Sequence, residues 1–244
     1  RCKAIAAFCA ISGSLTSLDV GYNNIGEEAA LALVSIFKEK DQMQSVGLGG
    51  CELGVDGAKA VADYVSVSGS LTSLNVGSNK VGDEGAQAIA WALKEIKACK
   101  LKELIIYDNQ IGPDGVKAIA AFCAVSGSLT KLDVRYNDIK GGGAEQLAAA
   151  VLANVTIEVF NEIPIKEMRA NSLTELDLSG KSIGNDGAMV VAGLVPVSGS
   201  LTKLDVRYNS LDDDAKTWLR DAAKDKSGFE LLVVSTSFVV RGDP

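Results

Sequence analysis

Apolar positions return along this chain at fixed intervals, in short stretches that read L-x-x-L-x-L. The stretch LTSLDV comes back as LTSLNV, LKELII, LTKLDV, LTELDL and LTKLDV. The first apolar residue of each unit falls at Leu15, Met43, Leu71, Leu101, Leu129, Ile157, Leu173, Leu201 and Phe229, at spacings of 28, 28, 30, 28, 28, 16, 28 and 28 residues. Alternation with period two predicts a short strand whose apolar side chains share one face. After each strand comes a stretch of the type IGxxGAxAxA, as in IGPDGVKAIA at 111–120. Its two glycines predict a turn, and an Ala-rich helix follows. Asp56, Asp83, Asp114 and Asp186 stand where a negative side chain favours the positive end of a starting helix. The sequence VSGS at 67–70, 125–128 and 197–200 then leads back to the next strand. Each unit is therefore expected to run strand, turn, helix, turn.

Eight residues after the first apolar position of a unit stands a second marker: Asn23, Cys51, Asn79, Asn109, Asn137, Lys181, Asn209 and, more loosely, Ser237. A side-chain amide there can bond the backbone of neighbouring turns, whose groups a sharp bend would otherwise bury unpaired. Asn23, Cys51, Asn79, Asn109, Asn137 and Asn209 thus form a structural ladder, with Cys51 read as structural rather than as a reactive thiol.

The pattern L-x-x-L-x-L-x-x-N-x-L, carried by Leu15, Leu18, Val20, Asn23 and Ile25 and again by Leu71, Leu74, Val76, Asn79 and Val81, resembles that of leucine-rich-repeat proteins of the ribonuclease-inhibitor type. It is similar in particular to the interaction repeats of NOD-like receptors and of leucine-rich proteins from unicellular algae. The resemblance implies an α/β fold: a leucine-rich-repeat solenoid, or horseshoe, with parallel β-strands on the concave face and α-helices on the convex face. Residues 1–244 are expected to form one such domain. Residues 1–14 read as the helix of an incomplete first repeat, because KAIAAFCAISGSLT at 3–16 parallels KAIAAFCAVSGSLT at 117–130. Residues 157–172 read as a shortened repeat that keeps its strand and replaces its helix with a loop. Residues 229–244 read as a last strand, with Phe229, Leu232 and Val234 inward, and a tail.

Composition narrows the chemistry. The chain has no His, which removes the commonest general base, the Ser-His and Cys-His nucleophile pairs and most zinc sites. The Gly-rich stretches at 47–54 and 140–143 match neither GxxxxGK[ST] nor GxGxxG spacing and fall on repeat turns. No catalytic, cofactor-binding or metal-ligating set is expected, and no cofactor. A net charge of −7 disfavours a nucleic-acid backbone as partner, and no apolar run is long enough to predict membrane insertion. Five Cys without CxxC spacing point to reduced thiols and an intracellular, cytoplasmic setting. The sequon at 154–156 and the RGD tripeptide at 241–243 are read as chance occurrences in that setting.

What remains is the surface made by the x positions of successive strands. One column runs Asp19, Gly47, Asn75, Ile105, Asp133, Asp177 and Asp205; the next Gly21, Gly49, Gly77, Tyr107, Arg135, Ser179 and Arg207; a third Tyr22, Gly50, Ser78, Asp108, Tyr136, Gly180 and Tyr208. Early repeats thus present a bare floor of Gly and Ser. Later ones carry Tyr107 and Asp108, then Lys131, Asp133, Arg135 and Tyr136, then Lys203, Asp205, Arg207 and Tyr208. Tyr and Arg combine contact area with directional bonding, as binding hot spots do. Two readings stay open: these residues bind a partner, or LTKLDVRYN was copied by duplication and its Asp and Arg neutralise each other. The expected function is a non-enzymatic protein–protein interaction scaffold binding a protein partner through the concave face or the repeat loops. The alternatives are a sensor or autoinhibitory region of a larger receptor or enzyme, a GTPase-activating protein, as one family with similar repeats is, and a structural subunit of a large assembly.

Overall fold

A computed structural model describes residues 11–23, 25–233 and, for the backbone, 237–239. Most of the expected helix at 1–14, together with Val234 and the RGD tripeptide, lies outside the described residues. In chain order the elements are β1 (Ser17–Asp19), α1 (Glu27–Phe37), β2 (Ser45–Gly47), α2 (Gly54–Val67), β3 (Ser73–Asn75), α3 (Gly82–Glu95), β4 (Glu103–Ile105), α4 (Pro113–Val125), β5 (Lys131–Asp133) and α5 (Gly142–Ala153). There follow β6 (Val159–Phe160), β7 (Ile163–Pro164), α6 (Ile165–Arg169), β8 (Glu175–Asp177), α7 (Gly184–Leu194), a 3-10 turn at Val195–Val197, β9 (Lys203–Asp205), α8 (Asp213–Ala223), β10 (Glu230–Leu232) and β11 (Ser237–Val239).

The strands pair in parallel and in one register from β1 to β6, so that Leu18, Val46, Leu74, Leu104, Leu132 and Phe160 stand side by side. Of these, Val46 to Phe160 are fully buried; the terminal Leu18 is partly buried. Leu176, Leu204 and Leu231 form an equivalent row in β8, β9 and β10. Between these rows and the helices lies one continuous apolar core, because no single repeat can bury its own strand and helix alone. Consecutive helices pack in order, and α5 packs directly on α7 across the shortened unit.

The second glycine of each IGxxGA stretch was expected to turn the chain. Gly85 and Gly115 instead sit inside the first helical turn, where a Cβ would fall 2.6 Å from Ala58 Cβ and 2.7 Å from Asp83 Oδ1 respectively. They let each helix close onto the preceding repeat. The first glycine turns the chain at Gly82 and Gly184, with φ of +61° and +70°, open only at a cost to other residues, whereas Gly112, ahead of Pro113, is extended. Gly115→Ala is expected to destabilise the protein by about 1–3 kcal/mol, measured by urea unfolding, because overpacking at a helix contact outweighs the gain in helix propensity. Asp83 supports the same contact, its Oδ1 accepting from Gly112 N at 2.7 Å and Gly115 N at 2.9 Å, so one repeat caps the next repeat's helix.

The unit at 157–172 departs from expectation twice. It does form a helix, the five-residue α6, because Arg169 reaches the carbonyls of Val151, Leu152, Asn154 and Ile157 at 2.9–3.1 Å and anchors the turn. It also breaks the sheet. Residues 161–162 reverse the chain with φ of +48° and +65°, and β7 pairs antiparallel with β6, leaving a seven-stranded sheet β1–β7 and a separate four-stranded sheet β8–β11. The last strand is shifted by one residue from expectation. Phe229, Leu231 and Val233 are buried and Leu232 is not, since β10 aligns Leu231 with Leu204, and β11 then pairs antiparallel on its outer side.

Candidate functional site

The ladder amides join neighbouring repeats. Asn109 is fully buried; its Nδ2 donates to the carbonyls of Val76, Ile106 and Tyr107 at 2.9–3.0 Å, and its Oδ1 accepts from Asn79 N at 2.9 Å and Val81 N at 3.3 Å. Asn79 and Asn137 repeat the arrangement one unit earlier and later. Asn209 does so in the second sheet, with Ile183 N at 3.1 Å on its Oδ1. Asn23, in the first described unit, donates to Val20 O and Gly21 O. Cys51 keeps its place with weaker Sγ bonds to Val20 O and Gly49 O at 3.7 and 3.6 Å. In the shortened unit the ladder role passes to Asn161, four residues after Ile157. Its Oδ1 accepts from Val134 N at 3.0 Å, and its Nδ2 donates to Asp186 Oδ2 at 2.8 Å and Ile183 O at 3.3 Å. Spacing alone missed it because the hairpin deletes the intervening residues.

This scaffold sets out the outer columns. Tyr22, Ser78, Asp108, Tyr136 and Tyr208 all hold positive φ between 51° and 60°. The left-handed residue lies three positions past the end of its strand and turns its side chain out, which leaves Tyr22, Tyr136 and Tyr208 at 60%, 62% and 78% exposure. The floor of the early repeats is not bare, as expected from sequence, but covered by two rings. A Cβ on Gly50 would lie 2.8 Å from Tyr22 Cδ1, and one on Gly77 2.8 Å from Tyr107 Cε1. The two phenol oxygens meet each other across the glycines. Tyr107 also packs edge-on against Tyr136, with ring centroids 6.5 Å apart. Burial, followed by the contact with Tyr22, pushes the Tyr107 phenol up to about 12, so it stays a neutral hydrogen-bonding group.

The charged candidates are largely committed to one another. Arg135 grips Asp133 with two bonds, Nε–Oδ1 at 2.9 Å and Nη2–Oδ2 at 2.7 Å, and its Nη1 reaches Glu162 at 2.8 Å and Lys181 O at 3.1 Å. The Asp133 bonds come first in raising the guanidinium pKa above its ordinary value. Arg135 therefore braces the two sheets across the break. Arg207 grips Asp205 in the same way, with Nη2–Oδ2 at 2.6 Å, and lies over the Tyr208 ring at 5.9 Å. That grip holds the Asp205 carboxyl below its usual range. Lys131 pairs with Glu103 at 2.7 Å, Lys203 with Glu230 at 3.5 Å, and Asp108 accepts from Ser78 Oγ at 2.9 Å. The ten candidates fall into two groups on the concave face, Tyr107 to Tyr136 on the first sheet and Lys203 to Tyr208 on the second. Among the described residues no group of three or more His, Cys, Asp or Glu side chains is placed to hold a metal ion. No described helix is long and apolar enough to cross a membrane. Burial raises the Cys123 thiol to about 12, which keeps it from acting as a nucleophile.

Comparison with known proteins gives the same reading of the repeats. A family model described as Leucine Rich repeat matches residues 14–34, 68–90, 97–120, 126–148 and 169–192. Among solved structures, the leucine-rich repeat-containing protein LegL7 from Legionella pneumophila is 19% identical, with a TM-score of 0.45 over 93% of this chain and 76% of that one. Leiomodin-1 actin-binding site 2 is 16% identical, with a TM-score of 0.39 over 64% of this chain and 75% of that one. No curated protein sequence matches significantly. Five matched segments, on a backbone whose strands and ladder amides repeat in the same register, give this chain the fold of a leucine-rich-repeat solenoid.

Proposed function

We propose that the chain is a non-enzymatic scaffold of the ribonuclease-inhibitor type that binds a protein partner through the concave face, acting inside the cell. Leucine-rich repeats generally mediate protein–protein interaction, and one observation carries the specific reading. Tyrosines project from the strand ends of several repeats, Tyr136 and Tyr208 at 62% and 78% exposure, each backed by an Asp–Arg pair already satisfied within the chain. Large side chains held by neighbours lose little entropy on contact, which is how tyrosine comes to dominate interfaces. In this reading Tyr107, Tyr136 and Tyr208 make the contact, with Asp108, Lys131 and Lys203 at its rim. Asp133, Arg135, Asp205 and Arg207 hold the surface in shape.

The test is capture of partners from the native source by the wild-type chain and by the Tyr136→Ala, Tyr208→Ala double variant, followed by titration of the captured partner. The double variant is expected to bind at least 30-fold more weakly, as the loss of about 2 kcal/mol implies, with an unchanged circular dichroism spectrum. Unchanged affinity would move the interface off the concave face.

A further inference from the structure

The break in the sheet leaves one strand with a side to spare. On β8, Thr174 O accepts from Thr202 N and Leu178 N donates to Asp205 O, both at 2.8 Å, so the even-numbered residues turn their backbone groups toward β9. By the alternation of a parallel ladder, the N–H and C=O groups of Glu175 and Asp177 face the other way. In an uninterrupted repeat the preceding strand would take them. Here that place follows the β6–β7 hairpin, and among the described residues no backbone hydrogen bond joins the hairpin to β8. β7 is two residues long and ends in Pro164, which has no N–H to continue a ladder. The contacts that hold the two sheets together, Arg135 and Glu162 to Lys181 and Asn161 to Ile183 and Asp186, all lie beyond the end of β8 and use none of its backbone groups.

The side chains on this edge carry a consistent charge. Glu175 and Asp177 are two apart, on the same face, and both exposed. Among the described residues neither forms an ion pair; Asp177 accepts from the backbone N–H of Ser179 at 2.8 Å and from the Ser179 side chain, with Arg207 and Lys181 further off. Between them Leu176 points into the core. An incoming strand would therefore meet carboxylates at alternate positions on one face and aliphatic side chains on the other. A second copy of β8 would set carboxylate against carboxylate, so the edge resists self-pairing.

We infer that the outward edge of β8 is a docking edge for an extended segment of a partner protein in which Lys or Arg alternates with aliphatic residues, added to the second sheet as a further strand. This rests on the reading of the chain as a protein-binding scaffold but uses a surface separate from the tyrosines.

The test titrates the full chain with the acetylated, amidated peptide Lys-Val-Lys-Val-Lys, with the same peptide N-methylated at both valines, and with Glu-Val-Glu-Val-Glu, while amide hydrogen exchange is followed by NMR. The lysine peptide is expected to bind and to slow exchange at the Glu175 and Asp177 amides at least tenfold. The N-methylated peptide and the Glu175→Lys, Asp177→Lys double variant are each expected to weaken binding at least tenfold, and the glutamate peptide not to bind. Equal binding of the N-methylated peptide would reduce the effect to attraction by an acidic chain and overturn the inference, as would protection at Ser17–Asp19 instead, or no binding. The Tyr136→Ala, Tyr208→Ala variant is expected to bind the lysine peptide as wild type does, so failure of the edge and failure of the tyrosine surface are read separately.

Discussion

Asn109→Ala is expected to lower stability by about 4 kcal/mol, because two backbone donors lose their acceptor in a place water does not reach. The carbonyls are the smaller part of the loss. Val76 O still accepts from Asn79 Nδ2, Ile106 O from Asn137 Nδ2, and Tyr107 O from Ser78 N. The N–H groups of Asn79 and Val81 have no such substitute for the Oδ1 at 2.9 and 3.3 Å. Each buried unsatisfied donor costs about 1–3 kcal/mol, and the cavity adds to it. Asn109→Asp is expected to fare no better: it restores the acceptor but turns a carboxylate oxygen toward three carbonyls. Asn23→Ala, which removes two exposed or half-buried bonds, is expected to cost only about 1 kcal/mol. Urea unfolding of the three variants, with hydrogen exchange at Asn79 and Val81, reads both size and place. Similar losses for Asn23→Ala and Asn109→Ala would show that the amide serves its own turn and does not join neighbouring repeats.

This contrast marks how far the sequence could be read. A period of 28 residues with an amide at a fixed offset is a strong constraint, since strand register and ladder follow once every repeat must stack on the last, and the first outer column lines up within each sheet, Asp19 to Asp133 in one and Asp177 with Asp205 in the other. What escaped was whatever depends on a side chain reaching out of its own repeat. Tyr22 and Tyr107 lie across Gly50 and Gly77 of neighbouring units, so a floor that looks empty residue by residue is occupied. Arg135 spans 46 residues to Lys181, a separation that no local pattern encodes. The irregular unit failed for a related reason: residues 161–162 adopt left-handed backbone without glycine, and only the surroundings of Asn161 account for it. The slip at β10 came from a single residue. Leu231 and Leu232 are both plausible inward positions, and pairing with β9 selects the first.

Asn161 also bonds to the group with the largest expected effect of pH. Asp186, at the start of α7, is buried; it accepts from Asn161 Nδ2 at 2.8 Å and from its own and the Gly187 backbone N–H. Burial is the main cause, with the nearby Asp133 carboxylate adding to it, that pushes its carboxyl from the ordinary 3.8 up to about 7. The folded protein then holds a proton that the unfolded chain releases near pH 4, so stability falls as pH rises from about 4 to about 7 and levels off above. Over that window the cost is on the order of 4 kcal/mol, at about 1.4 kcal/mol per pH unit. Asp177, Glu162 and Asp205, whose pKa values are lowered in the fold, act with the opposite sign, adding stability above pH 4 that is lost as pH falls. A wild-type curve alone therefore mixes the two. The comparison with Asp186→Asn separates them, since any cost of the altered hydrogen bonds is the same at every pH and only the slope of the difference reports ionisation. The variant is expected to gain on wild type steadily between pH 4 and 7, and the protection of the Val134 amide relative to its intrinsic exchange rate, bonded as it is to Asn161 Oδ1 at 3.0 Å, to fall with pH in wild type alone. A difference that stays flat across this range would mean that Asp186 ionises in the fold as it does in water, with the Asn161 amide and two backbone N–H groups offsetting its burial in full.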